Sequence, residues 1–314
     1  MEQFMQIFNV GLLQNTLRAA TPVILAAMGG LLTEQAGVMN IGMDGMILVG
    51  CFAAAAFSFF LSSAGAGVLA AVAAGALIGL FFAVLVVRFK SDEFIIGMAL
   101  NTFAAGLTVF LLRSVFGVKG TFADPGIAAL PRLHVEFLDG IPVIGPVLND
   151  HSLFVYIAWL IVVLVWVFLY RTPLGFWLRA AGERPEALRT AGKSPEKMKF
   201  FASVLCGILC GLAGAHLSLG YLTMFSEGMS DSRGFIAFAC VIFGMANPSK
   251  VFLSALLFGF LDAVGLRLQY AGIPANLTAM TPYLATVLML ICVAILGRAR
   301  TRKETEKTTA LKSE

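Results

Sequence analysis

Two polar segments interrupt an otherwise apolar chain, and their residue types suit the handling of a small polar solute. The first runs from Glu34 through Asn40 to Asp44 and Gly45. The second runs from Ser226 and Glu227 through Asp231 to Arg233 and Gly234. Each follows a run rich in small residues, and each holds a Glu, a Gly and a later Asp. Backbone that leaves a helix at membrane depth is tolerated only where it is buried in protein or lines a wet cavity. Glu34, Asn40, Asp44, Glu227, Asp231 and Arg233 are therefore candidates for a translocation path or its gates. The same residues also read as plain turns and caps at a membrane surface.

Three further polar side chains fall inside apolar runs: Arg18, Asn101 and Asp262. A charge at the bilayer centre costs several kcal/mol, so Arg18 and Asp262 should face protein or water. Asn101 joins the path candidates. Cys206 and Cys210 share a helix face, but without a histidine at ligand spacing they read as small core residues, and no metal site is expected. No catalytic residues are expected either. Gly192-Lys193-Ser194 resembles the end of a phosphate-binding loop, yet Ala187 stands where its first glycine would be and no strand precedes it.

The most structured polar piece runs from Arg179 to Gly192. Pro185 suits the first turn of a short helix and Gly192 its end. Ser194-Pro195-Glu196 then caps the next helix. A two-turn helix is marginal alone, so a docking partner is expected on it. The other reading is a solvated loop that only sets topology.

The elements that must position these residues follow from composition. The chain has 314 residues, 59% of them hydrophobic and only 13% charged, with a mean hydropathy of +0.89. Soluble domains carry about 25% charged residues, so soluble, disordered, disulfide-framed and nucleic-acid-binding classes are excluded. The 32 Gly and 27 Phe show little of the alternation of β-barrel strands. The fold class is an all-α polytopic membrane protein forming one transmembrane domain over 1–314. Apolar runs place nine crossings near 11–31, 46–63, 68–87, 94–113, 152–170, 200–221, 234–246, 251–270 and 280–297. The run at 234–246 reaches only about 20 Å as a helix, so the polar segment before it must dip into the membrane.

Sixteen of the 22 Lys and Arg residues lie at 88–90, in the loop 171–199, at Lys250 and in the tail 298–314. The positive-inside rule makes that side cytoplasmic. The loop 117–151 is external, and nine crossings put the N-terminus outside and the C-terminus in the cytoplasm. The first ten residues hold Glu2 and no Lys or Arg, which does not fit a cleavable signal. The polar segments then fall at opposite ends of their helices. Residues 10–116 and 200–297 would form repeats of inverted topology, an arrangement that places a substrate path at the repeat interface.

At Leu31–Met46, Asp92–Gly97, Ala180–Ala187, Glu227–Met229 and Arg233–Ala237, the sequence resembles permease subunits of bacterial ATP-binding-cassette importers of the ribose, galactose and nucleoside type. It is most similar to the shorter of the two permeases in nucleoside importers. The resemblance spans roughly 10–297. It implies a membrane channel subunit in the bacterial plasma membrane that hydrolyses nothing and binds no cofactor, with ATP and Mg²⁺ on a separate ATP-binding subunit. That subunit would grip the 183–192 helix through Glu183, Arg184, Glu186 and Arg189. An external substrate-binding protein and a second, longer permease would complete the assembly, with a nucleoside or simple sugar as cargo.

Two other classes compete. An ion-gradient-driven carrier of a small polar solute also uses inverted repeats and intramembrane acids, but has no need of a capped cytoplasmic helix. An intramembrane hydrolase would need Asp44 and Asp262 as a carboxylate pair, in surroundings that match no protease pattern.

Overall fold

A computed structural model describes residues 10–134, 144–270 and 280. The described helices are α1 (Val10–Gln35), α2 (Met43–Leu61), α3 (Ala64–Ala83), α4 (Glu93–Phe116), α5 (Ile144–Leu148), α6 (Leu153–Arg171), α7 (Pro173–Glu183), α8 (Pro185–Thr190), α9 (Pro195–Ala215), α10 (Arg233–Phe243) and α11 (Pro248–Tyr270). Wider π-turns extend α3 over Val84–Arg88 and α9 over His216–Tyr221. Seven helices are long and apolar enough to cross a membrane, and α10 is an eighth, shorter apolar helix. The crossing expected at 280–297 lies outside the described residues, apart from Met280.

Most expected boundaries shift by a few residues. The second span starts at Met43 rather than 46, and the sixth at Pro195 rather than 200. Polar residues at the helix starts account for this: Asp44 lies in the first turn of α2, and Ser194 caps α9 by accepting from the amide of Lys197 at 3.3 Å. The segment expected at 234–246 is shorter still, an 11-residue helix.

Three helices form the centre. In the span of α1, 89% of residues are buried within the chain, against 72% for α2 and 67% for α9, whereas α4 and α6 reach only 28%. Helix α9 packs on α1, α2 and α3, and α11 packs on α1. Lipid tails are as apolar as leucine, so close backbone contact rather than hydrophobic sorting holds such helices together. At the α3–α9 crossing, a Cβ on Gly75 would sit 2.2 Å from the Gly207 carbonyl oxygen, and one on Gly207 would sit 2.1 Å from that of Gly75. Four-residue spacing of Gly75 and Gly79, and of Ser203, Gly207 and Gly211, puts these small residues on facing stripes.

Four short strands tie the loops at one end. β1 (Thr121–Phe122) pairs antiparallel with β4 (Phe225–Ser226), and β2 (Arg132–Leu133) pairs with β3 (His151–Ser152). Phe122 and Phe225 join Phe52, Phe59 and Phe116 in a run of ring contacts over the same end. Arg18 meets its expected partner here, donating from Nη2 to the Asp150 carbonyl at 3.0 Å. His151 beside it is held neutral, its pKa lowered by burial. The basic loop lies at the other end, where Lys199 Nζ donates to the Gly37 carbonyl at 3.2 Å.

Candidate functional site

The first interruption begins where Gly37, with φ +70°, ends α1. The amide of Val38 turns back to the Thr33 carbonyl at 2.9 Å. Residues 38–41 then run without regular structure until α2 begins at Met43. Side chains satisfy the exposed backbone of this stretch. Asn40 Oδ1 accepts from the Gly42 amide at 3.0 Å, and its Nδ2 reaches Cys206 Sγ at 3.3 Å. Asn101, from α4, accepts from the Gly45 amide at 2.8 Å and donates to the Ile41 carbonyl at 3.0 Å. Asn101 lies eight residues into α4, about 12 Å along its axis, so it meets the broken backbone well inside that helix.

That bridge makes a testable claim. Replacing Asn101 with Ala leaves a donor and an acceptor unmet in a low-dielectric setting, each at a cost of about 1–3 kcal/mol. The purified N101A chain should melt several degrees below the wild type. An unchanged melting temperature would show that water already serves these groups.

The second interruption descends from the opposite end. Glu227 anchors it: its amide donates to the Gly120 carbonyl at 2.8 Å, and Oε1 accepts from the Gly120 amide at 3.1 Å. Arg113 lies 3.7 Å from the same oxygen. Glu227 thus fastens the loop after α4. Gly228, Asp231 and Ser232 all take positive φ, folding the chain tightly before α10.

The two interruptions meet at Asp44. Its Oδ2 accepts from the Ser230 hydroxyl at 2.9 Å, and its Oδ1 accepts from the Gly234 amide at 3.0 Å. Ser232 makes no side-chain cap for α10. Asp44 therefore supplies, from 190 residues away, the acceptor that a helix N-terminus ordinarily takes from its own flanking residue. It also sits in the first turn of α2, so one carboxylate faces the positive ends of two helices. Gly234 makes the approach possible, since a Cβ there would lie 2.2 Å from the Asp44 nitrogen.

Beside this clamp, Arg233 stands between two acids, 3.6 Å from Asp231 and 3.7 Å from Asp262. Its side chain is only 16% exposed, whereas that of Asp231 is 82% exposed. Asp262 therefore has the protein partner its position demanded. Asp44 and Asp262 hold different partners, Ser230 and Gly234 for the first and Arg233 for the second. Glu34 sits half-buried in the last turn of α1, near Glu93. Among the described residues, no three His, Cys, Asp or Glu side chains gather as a metal site.

At the basic end, α7 and α8 form a bent arm. Glu183 ends α7, Arg184 makes the corner, and α8 starts at Pro185 as expected. It is shorter than two full turns, six residues, and closes at Gly192, whose φ is +74°. Arg189 Nη1 donates to Glu186 Oε1 at 2.8 Å, and its Nη2 pairs with Glu196 in the first turn of α9. These acids hold the Arg189 guanidinium above its usual pKa. Glu186 itself is 80% exposed. A cavity of about 240 Å³ lies beside the arm, lined in part by Val38, Lys90, Glu93, Arg189 and Lys199.

Ser230 and Glu196 were not among the sequence candidates. Ser230 gave no signal, because a serine in a polar turn is common. Glu196 was noted only as part of a cap, although its i+7 distance from Arg189 across a Gly turn could have suggested a pair.

Comparison with known proteins gives consistent relatives. The chain is 33% identical to the guanosine ABC transporter permease protein NupQ of Bacillus subtilis, over 90% of this chain and 91% of that one. It is 34% identical to the nucleoside ABC transporter permease protein NupC of Lactococcus lactis, covering 91% and 92%. The glucose ABC transporter permease protein TsgB13 of Haloferax volcanii is 29% identical, covering 92% and 78%. The solved structure of PsaBC from Streptococcus pneumoniae in complex with Fab shares the fold, with a TM-score of 0.52 at 14% identity over 92% of this chain and 94% of that one. A family model matches residues 12–294, and the chain belongs to that family, the permease component of the branched-chain amino acid transport system.

Proposed function

We propose that this chain is the membrane-spanning subunit of an ATP-binding-cassette importer that moves a nucleoside or simple sugar inward. Its relatives carry those substrates in their names, and their matches cover 90–92% of this chain. The observation that carries the mechanism is the connection of an exposed arm to the central helix. Arg189 ties α8 to the first turn of α9, and α9 packs against α1, α2 and α3. A push on α8 is thereby delivered to the core that holds both interruptions.

In this reading a cytoplasmic ATP-binding subunit docks on α8. Glu186 is the outward contact, and Glu183 and Arg184 set the bend. Arg189 keeps the arm rigid, a positioning role rather than a direct grip. The chain itself hydrolyses nothing and holds no cofactor; ATP and Mg²⁺ belong to the ATP-binding subunit. Asp44, Asn40 and Asn101 stabilise the broken backbone beside the path, while Arg233, Asp231 and Asp262 border it. Glu34 and Glu227 mark its two ends.

The topology proposed is nine crossings with the N-terminus outside and the C-terminus cytoplasmic, the two halves being related by inverted topology. Two placements support it. The first interruption lies against the basic loop, where Lys199 Nζ donates to the Gly37 carbonyl at 3.2 Å. The second opens toward the opposite end, through β1 and β4. A second permease would face this chain across the path, and an external binding protein would deliver substrate to the loop 117–151.

Affinity purification of the tagged chain in mild detergent tests the assembly. Recovery of stoichiometric ATP-binding and second permease subunits is expected. A chain recovered alone, in a detergent that preserves known importers of this kind, would refute the proposal.

A further inference from the structure

The elbow joining α6 to α7 carries a feature that neither the path nor the docking arm uses. Two basic side chains there, and Lys193 from beyond α8, each lie over an aromatic ring. Arg171 stands 5.8 Å from the Trp166 ring centre, Arg179 5.1 Å from that of Tyr170, and Lys193 4.3 Å from that of Trp177. Trp and Tyr collect at the headgroup level of a bilayer, where an apolar ring and a polar edge are both accommodated. Trp166 and Tyr170 lie in the last two turns of the spanning helix α6, on an exposed surface. Helix α7 continues that surface with exposed Leu174 and Phe176, while Gly175, Leu178 and Ala181 pack inward. A short amphipathic helix of this kind lies along the interface plane.

The charge around the elbow has one sign. No Asp or Glu occurs between residues 150 and 183. Among the described residues no carboxylate lies within salt-bridge distance of Arg171 or Arg179, and Arg179 Nε is buried with no hydrogen-bond partner. Arginine stacked on an aromatic face keeps its N–H edge available for a phosphate. Clustered Lys and Arg next to the end of a spanning helix attract anionic lipid headgroups.

We propose that the α6–α7 elbow is a binding site for the headgroup of an anionic phospholipid. The phosphate would sit against the guanidinium groups of Arg171 and Arg179, and the acyl chains would run along Trp166, Tyr170 and the outer face of α6. The site needs only that the chain lies in a bilayer, so it stands apart from the identity of the transported solute. A bound lipid would brace the elbow from which the docking arm projects.

Native mass spectrometry of the detergent-purified chain tests this, with phosphatidylglycerol and phosphatidylcholine offered in equal amounts. The wild type should retain phosphatidylglycerol in preference. The R171Q/R179Q variant should lose that preference, by about fivefold for each basic residue removed. R171K/R179K, which keeps the charge, should retain most of it, and R88Q, at the end of α3, should leave it unchanged. Equal retention of both lipids by the wild type would overturn the proposal without any variant. So would a phosphatidylglycerol preference that survives R171Q/R179Q. Displacement of the lipid by millimolar soluble glycerol phosphate would also overturn it, by assigning the site to a free phosphate compound.

Discussion

Replacing Arg189 with Glu should abolish coupled uptake while leaving the ATP-binding subunit attached. The substitution sets a third carboxylate against Glu186 and Glu196, the two groups Arg189 now joins. Like charges in contact repel, and the link from α8 to α9 opens. Uptake of radiolabelled nucleoside should fall by about tenfold, within the roughly 0.5–3 kcal/mol by which residues of one salt-bridge network couple. Because Glu186 remains on the outer side of α8, co-purification of the ATP-binding subunit should persist, and its ATP hydrolysis should continue without transport. R189K, which keeps one hydrogen-bonding charge but not the two-pronged geometry, should retain part of the uptake. If R189E instead releases the ATP-binding subunit, Arg189 is a direct docking contact. If R189E transports normally, the arm is not the route of coupling.

Loss of Asp44 should disable the chain by a different route. In D44A the Gly234 amide and the Ser230 hydroxyl lose their acceptor, and the N-terminus of α10 is left uncapped. Hydrogen bonds to a charged group contribute about 1.5–3 kcal/mol, so the variant should melt markedly lower and transport poorly even where it assembles. S230A should cost less, because Asp44 still caps α10 through Gly234. The double variant D44A/S230A should be little worse than D44A alone, with a coupling energy of about 0.5–3 kcal/mol as expected for residues in contact. Strict additivity would mean the clamp is not a unit. G234A offers a separate check, since its Cβ cannot fit where the Asp44 backbone lies and the two interruptions must move apart.

The parts of this account legible in the sequence share a physical origin. Apolar runs long enough to span a bilayer leave little choice of structure, because only helices or closed barrels satisfy the backbone in lipid. Charges such as Arg18 and Asp262 announce that a partner exists, since leaving them unmet is costly. Local caps were also legible: Pro185, Gly192 and Ser194 act within a few residues of themselves.

Partner identity was not legible. Asp44 and Gly234 are separated by 190 positions, and Asn101 meets Gly45 across 56. Nothing in local spacing joins them. Asn101 was noticed as a polar side chain in an apolar run, yet its task of satisfying an unwound backbone depends on how α4 lies beside residues 41–45. Glu227 reads from sequence as a path residue by type and position, and its bonds to Gly120 add a loop contact that spacing does not announce. Arg189 reads from sequence as a docking residue, and its bond to Glu196 adds a link from α8 to α9.

The most direct measurement of the central claim is uptake by proteoliposomes containing the assembled complex, with binding protein and labelled nucleoside supplied on one side. ATP and Mg²⁺ enclosed on the other side should drive accumulation, and collapsing the proton and sodium gradients should leave it unchanged. Accumulation driven by an imposed ion gradient without ATP would contradict the account and make this chain an ion-coupled carrier.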